Sequence, residues 1–464
     1  MRAAAHSAAR SQSGLTASER NLRDPADFLD SPRIQIIFYS IIFTIPLFRF
    51  RDIGDLVFMK VDWLLMALLL MLVLPAMLVS KIAPGRIEGR IWMPLFMFLI
   101  VNAVSSALSP FPDTALAGMV LLGQVLIFLT VNMLLLNDRG VESTLPWVLG
   151  ASIGLNSFLA VLGYVFEIGI FTQPAAEGGV RGVGGTISSN NVALMCVYSI
   201  PLMVYMLIYA KTPARRLLAL ALTLLLVAGV VVSESRGGFL NFLGVSGLVA
   251  WQFRHHFDPR YLGLLIGGTA ALLLAFVLIV PQDFFERQAS VRVLLDSLTG
   301  ESNELVTDAA LDRRAAYLEV AGDVLWERPF LGHGTDTFKR LWIDSEQTRW
   351  FAMEERPAHN TYAEVLVGTG LIGLAAFLML LWVTYSNYRR AERTLAAIGD
   401  ESGRLLMASY RIAFISILVY FLVKSGIDHK IFILAMPLSD AVRRYAVRRA
   451  AGGRAKLTSE TEAG

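Results

Sequence analysis

From Trp63 to Val79, and again from Leu217 to Val232, the chain carries no charged residue. Each run approaches the roughly 20 apolar residues that an α-helix needs to cross the hydrocarbon core of a bilayer. No water reaches the peptide groups there, so such a segment must close its own hydrogen bonds as a helix. The whole chain is of this kind. Of its 464 residues 55% are hydrophobic and 17% charged, with a mean hydropathy of +0.56, whereas soluble domains carry about a quarter charged residues. The formal charge of +3 is small for this length. The basic residues gather at helix ends and not on one face, which argues against nucleic acid as a partner. The single cysteine, Cys196, lies in an apolar segment. It can form neither an intrachain disulfide nor a cysteine-based metal site, and it is read as packing.

Apolar windows predict about twelve spans. They run from Ile34 to Phe48, Asp62 to Val79, Ile91 to Leu108, Ala115 to Leu136, Leu145 to Ile170, Asn191 to Ala210, Leu217 to Val232, Gly237 to Gln252, Tyr261 to Val280, Tyr362 to Val383, Leu405 to Val423 and Ile427 to Val442. The last contains Asp428, His429, Lys430, Pro437 and Asp440, and is expected to be interfacial or broken. Residues 1–30 are rich in Ala, Ser, Arg and Asp and lack the apolar core of a signal peptide, so a disordered cytoplasmic tail is expected. Residues 31–280 then hold the first nine helices, 281–360 a large loop, 361–446 the last three helices, and 447–464 a basic cytoplasmic tail. The expected fold class is an all-α polytopic membrane protein with one large, partly helical loop.

With both termini cytoplasmic, Lys81, Arg86, Arg90, Arg139, Lys211, Arg215, Arg216, Arg254, Arg260, Arg389, Arg390 and Arg393 fall on the cytoplasmic side, as the positive-inside rule requires. Arg49, Arg51 and Lys60 fall on the other side, accompanied by Asp52, Asp55 and Asp62. This orientation sends outward the stretch 171–190, the turn Ser233 to Arg236, and the loop 281–360, which is far longer than ordinary connections. Within it, Leu311 to Trp326 is predicted to be an amphipathic helix whose apolar face holds Ala315, Leu318, Val320, Ala321 and Leu325. Pro329, Gly332 and Gly334 break it. Phe338, Leu341, Trp342, Trp350 and Phe351 suit a surface lying at the membrane interface.

Polar residues with a pattern concentrate on the outward side. Arg314 is followed by Tyr317, Ala321, Pro329, Leu331, Gly332, Gly334 and Phe338. Next come His359, Asn360, Tyr362, Glu364, Gly368, Gly370, Leu371 and Gly373. Upstream stand Ser235-Arg236-Gly237-Gly238, and Arg181 with Gly185, Asn190 and Asn191. In this order the motifs resemble those of O-antigen ligases and the related O-antigen polymerases. In that family an arginine helix leads to a Pro-Leu-Leu-Gly-like turn, and a His-Asn pair opens the next helix. The resemblance covers Arg181 to Gly373. It implies a C-type glycosyltransferase-like fold in the bacterial inner membrane, with the active site facing the periplasm. It also implies transfer of a glycan from undecaprenyl diphosphate to an acceptor sugar hydroxyl, without metal or other cofactor. The acceptor is lipid A-core in a ligase and a second lipid-linked oligosaccharide in a polymerase. A protein acceptor is a third option, and a lipid-linked glycan flippase is the rival from another class.

The residue types suit that chemistry. A diphosphate leaving group needs permanent charge and forked donors, which arginine provides. Arg236, between two apolar spans, and Arg314, on the loop helix, are the candidates, with Arg314 preferred to Arg313 for its spacing to Pro329. The alternatives are a pair between Arg236 and Glu234 or snorkelling to headgroups, and a solvated helix charge for Arg314. His359 is the candidate general base, since neutral imidazole takes a proton near the working pH; donation to phosphate is its other reading. Arg181, Asn191, Asn360 and Tyr362 are expected to bind substrate, with helix capping as the alternative for Asn360. His333 is expected to face solvent. Lys424, Asp428 and His429 form an outer cluster that either touches lipid phosphate or ends a helix. The outer loops have no Asp-x-Asp and no histidine-rich ligand spacing, so no metal is expected.

Overall fold

The computed structural model of the chain describes residues 29–47, 66–71, 73–74, 89–174, 179–256, 309–351 and 354–463. The helices are α1 (Pro32–Phe43), α2 (Trp92–Ala107), α3 (Pro112–Leu135), α4 (Leu145–Phe166), α5 (Ser189–Tyr209), α6 (Pro213–Val232) and α7 (Arg236–Phe253). They continue with α8 (Ala309–Leu325), α9 (Phe338–Asp344), α10 (Thr361–Ala397), α11 (Glu401–Tyr420) and α12 (Lys430–Ala463). Two three-residue strands, β1 (Thr172–Pro174) and β2 (Val180–Gly182), pair antiparallel in an otherwise helical chain.

Among the described residues six helical stretches are long and apolar enough to span a bilayer: α3, α4 with the turn before it, α5, α6, α10 and α11. Ile36, Met93, Leu116, Leu217 and Trp382 stand exposed around the outside, a spread of large apolar side chains that water does not tolerate and lipid does. The protein is therefore a multi-pass membrane protein. Among the described residues fewer helices meet that measure than the about twelve spans expected, for reasons visible helix by helix. The first, α1, has only 12 residues and α2 has 16. Helix α7 carries Arg236, Asn241 and Gln252, which dilute its apolar character; Asn241 Nδ2 donates to the Ser416 carbonyl of α11 at 2.8 Å. The expected span from Tyr261 to Val280 lies outside the described residues, as does most of that from Asp62 to Val79. The last span runs on: α12 is one helix of 34 residues through Pro437, where a break was expected, and it includes the tail expected after residue 446.

Inside the bundle, α5 is buried almost all round and packs on α4, α6, α7 and α11, while α10 packs on α2, α11 and α12. Asp440, fully buried in α12, accepts the backbone N–H groups of Arg90 (3.0 Å) and Ile91 (3.3 Å) and the Asn387 amide (2.9 Å). A carboxylate is thus spent on the otherwise unbonded amides at the start of α2.

Helix α10 is interrupted at Gly370, which has φ 66° and ψ −168°. The turn after α8 fills the interruption. His333 N and Gly334 N donate to the carbonyls of Val367 (2.9 Å) and Gly368 (2.8 Å), and Leu371 N donates back to Pro329 O (2.8 Å). Chain passes chain so closely that a Cβ on Gly370 would lie 2.3 Å from the Phe330 carbonyl carbon, and one on Gly332 2.5 Å from that of Gly368. Ser105 and Ser109 near the end of α2 close the joint with bonds to Gly368 O (2.6 Å) and His333 O (2.5 Å).

Above this joint sits a small second core. Tyr317 and Trp342 meet edge to face at 4.5 Å, with Phe338 beside them. The buried face of α8 is Ala316, Tyr317, Val320 and Ala321, whereas Ala315 and Leu318 are exposed. The expected face is therefore rotated, because the Tyr317 ring is the large apolar body that the neighbouring aromatics enclose. For the same reason Phe338, Leu341 and Trp342 are buried and do not line a surface; Trp350 is the exposed one, at 82%.

Gly370→Ala is expected to lower the melting temperature of the detergent-solubilised protein. With φ 66° and ψ −168° the backbone lies in a region essentially reserved for glycine, which costs an alanine about 1–3 kcal/mol, and the overpacking adds roughly 1–3 kcal/mol. Gly244→Ala, where an added Cβ meets nothing within 4 Å, serves as the control and should leave it unchanged.

Candidate functional site

Three helix starts meet at the turn that follows α11. At α5, Asn191 Oδ1 accepts the Tyr420 hydroxyl at 2.9 Å, and the neighbouring Asn190 Oδ1 accepts the Ser235 hydroxyl at 2.7 Å. Ser235 caps α7 by accepting Gly238 N at 3.1 Å, which sets Arg236 on the first residue of that helix. An added Cβ on Gly237 would lie 2.9 Å from Val423, so the start of α7 lies against the α11 turn. At α10, Thr361 N donates to Phe421 O (2.8 Å) and Thr361 Oγ1 to Lys424 O (2.7 Å). Helix N-termini present unbonded N–H groups and the positive end of the helix dipole. Segment 420–424 thus gathers three of them beside Arg236, Lys424 and the His359–Asn360 pair.

The four residues expected to bind substrate bond to protein groups here. Arg181, on β2, donates from Nε to Ser233 O (3.1 Å) and from Nη2 to Glu234 O (3.0 Å). It braces the turn that carries Arg236, where Glu234 adopts a left-handed φ of 47°. The Glu234 carboxylate accepts the Tyr164 hydroxyl at 3.1 Å. Asn191 accepts from Tyr420, as above. Asn360 caps α10 by accepting Ala363 N at 3.1 Å, the alternative that its sequence position offered. Tyr362 donates its hydroxyl to Leu418 O at 3.0 Å, with its ring among Phe377 and Phe421.

His359 sits just before the Asn360 cap with φ 51°, and its ring lies 5.8 Å from that of Tyr317. The small core thus brings α8 and its arginines to the imidazole. Burial, and then the positive charges of Lys424, Arg314, Arg313 and Arg356, push the His359 pKa from its ordinary value of 6.5 down to about 3. The ring is neutral through the physiological range. Lys424 is itself held below its usual range, by burial first, although Glu364 and Asp428 act in the opposite sense. Glu364 ties the two segments together: its Oε1 accepts Ala358 N (3.0 Å) and the Ser425 hydroxyl (2.6 Å).

Sequence reasoning missed part of this set. Arg313, passed over for Arg314, acts on the same imidazole, and so does Arg356. Lys424 was seen only as part of a cluster with two readings. The available signal was that it follows the last apolar residue of a span at the end where His359 opens another. His333, expected at the surface, is 3% exposed, and its Nε2 lies 2.9 Å from Val324 O. The turn that carries it is inserted into α10, so it cannot face solvent.

Residues 221–378 match the family model described as O-antigen ligase. The matched stretch is about a third of the chain. It includes Arg236, Arg314, His359, Asn360 and Tyr362, and leaves out Arg181 and Asn191. A protein of Haemophilus influenzae, described as uncharacterized, is 22% identical over 199 residues, which are 42% of this chain and 49% of the relative. The alignment thus spans about half the length of that protein.

The His359 ring is expected to stay neutral at about pH 5, well below the ordinary histidine pKa near 6.5. Nitrogen NMR of histidine-labelled protein checks this, with the His359→Gln variant identifying the signal. Adding inorganic pyrophosphate should raise the midpoint, since an anion among these cations favours the imidazolium. A His359 signal that titrates near 6.5 in the ligand-free protein would refute the electrostatic arrangement described here.

Proposed function

We propose that this protein transfers a glycan from an undecaprenyl diphosphate carrier to a sugar hydroxyl of lipid A-core, at the periplasmic face of the bacterial inner membrane and without a metal. The observation that carries the reading is a neutral imidazole held among Arg314, Arg313, Arg356 and Lys424, inside the stretch that matches the O-antigen ligase model.

Arg236 and Arg314 bind the diphosphate, and Lys424 adds to the positive field. The bond between the anomeric carbon and the diphosphate oxygen breaks as the acceptor oxygen bonds to that carbon. The electron pair leaves with undecaprenyl diphosphate, and the hydroxyl proton passes to His359 and then to solvent. The cations stabilise charge that grows on the leaving group, which is the role a divalent ion plays elsewhere. Their neutralisation by the bound diphosphate also offsets the charge part of what depresses His359, while burial, the larger cause, remains, so donor binding itself makes the base stronger. Arg181 and Asn360 act by holding the Arg236 turn and the His359 junction in place.

His359→Ala is expected to lower turnover by about 100 to 10,000-fold with donor affinity kept. An alanine variant that folds but no longer binds the carrier would make His359 a phosphate ligand. Arg314→Lys keeps the charge and loses the fork, so activity should still fall markedly.

The pH dependence follows from the depressed imidazole. A base works deprotonated, and the free enzyme loses that form only near pH 3. So kcat/KM should show no acid limb near 6.5, while kcat, which reports the donor complex, should fall at a higher pH than kcat/KM does. Transfer by the purified protein should survive EDTA; loss restored by magnesium or manganese would refute the metal-free mechanism. Glu346→Cys should label in intact spheroplasts, and labelling only after permeabilisation would reverse the orientation. Deleting the gene should leave uncapped core while polymer accumulates on its carrier; single repeat units in place of polymer would make the protein a polymerase.

A further inference from the structure

Beside the arginines, and separate from them, the bundle forms a partly open cavity of about 330 Å³, a size typical of small-molecule sites. None of Arg181, Arg236, Arg314 and His359 lines it. It lies between α2, α3, the N-terminal half of α10, the Thr335–Lys339 segment and the loop before α12. It meets the reaction centre through Pro357, two residues before His359, and through Ser425, which follows Lys424. Glu364 lines it as well, and joins these two segments through its bonds to Ala358 N and Ser425.

The charge here is opposite to that around His359. Asp336 and Asp428 contribute carboxylates, and Glu364 a carboxyl group whose Oε1 already accepts from Ala358 N and Ser425, against the ammonium of Lys339, which pairs with Asp336 at 2.7 Å. Such a rim repels a diphosphate and suits neutral hydroxyl groups, for which carboxylates are strong acceptors. Deeper, Phe98, Leu121 and Val125 offer apolar surface suited to the C–H face of a pyranose. In a displacement at the anomeric carbon, nucleophile and leaving group stand on opposite sides of the reacting atom. With the leaving group on the arginines, the hydroxyl arrives from the other side of the reacting carbon while staying within reach of His359, and this cavity adjoins His359 through Pro357.

We propose that this cavity is the binding subsite for the acceptor sugar, with Asp336 and Glu364 receiving hydrogen bonds from its hydroxyls. The inference rests on the transfer reaction proposed above and adds the place of its second substrate.

The test uses the full chain in nanodiscs and has two arms. In the first, Leu121→Trp narrows the cavity from α3, and Asp336→Asn removes a carboxylate while keeping a residue that tolerates its left-handed φ of 61°. Both should raise KM for the acceptor about tenfold or more, with kcat and donor affinity within about twofold. An unchanged acceptor KM in both variants, or a selective loss of donor affinity, overturns the proposal.

The second arm does not need turnover. In Leu121→Cys the introduced thiol is read against a silent background, because the native Cys196 is fully buried. A neutral, lipid-free oligosaccharide should slow its reaction with maleimide, and inorganic pyrophosphate should not. Protection by pyrophosphate alone would make the cavity an anion site and sink the inference. Protection by the oligosaccharide in a protein that transfers nothing would support the sugar site while refuting the reaction proposed above.

Discussion

The joint between the Pro329–Gly334 turn and the interruption of α10 is the contact on which the arrangement depends. An unbroken α10 would bond its own amides and leave nothing for the turn to hold. With Gly370 out of helical geometry, the carbonyls of Val367 and Gly368 bond to His333 and Gly334 instead. Peptide groups at such a break must be satisfied inside the bundle, and the turn supplies the partners. Because the turn is anchored, α8 before it and α9 after it are anchored as well. The core of Tyr317 and Trp342 then holds Arg314 over the residue that opens α10.

The consequence is electrostatic. Four cations act on one imidazole beside the starts of three helices, and each of these features favours an anion. Like charges gathered this way oppose one another, and the burial of Lys424 and His359 adds to that cost. Arg356 pairs with Glu354 at 2.6 Å, and Glu364 and Asp428 act on Lys424 in the opposite sense. The network beneath them resists it. Arg181 grips the Arg236 turn, Asn360 and Thr361 fix the junction at His359, and Glu364 ties that junction to the segment after Lys424. Arg181, Asn191, Asn360 and Tyr362 thus bond to protein groups that hold these segments, and with them the like charges, close together.

A feature was legible where one local pattern decides it. The apolar runs gave the helices α3, α5, α6 and α11 within a few residues, since lipid allows such runs one conformation. The capping of α10 by Asn360 was readable from its position. Failures arose where partners are distant in sequence. The face of α8 depends on Trp342, and the burial of His333 depends on Gly368.

What the sequence by itself determined is a multi-pass helical membrane protein whose arginines and His359 stand near helix ends, because hydropathy and charge position are properties of single segments. The residue stretch matching the O-antigen ligase model includes Arg236, Arg314 and His359. Only the tertiary structure decided that Arg313, Arg356 and Lys424 act on the same imidazole, that Arg181 and Tyr362 bond to backbone, and that an acidic cavity adjoins a basic centre. The physical reason is range. Hydrophobic periodicity is set by residues a few positions apart, whereas the electrostatic environment of His359 is summed over charges brought in by α8, the α11 turn and the loop before α10.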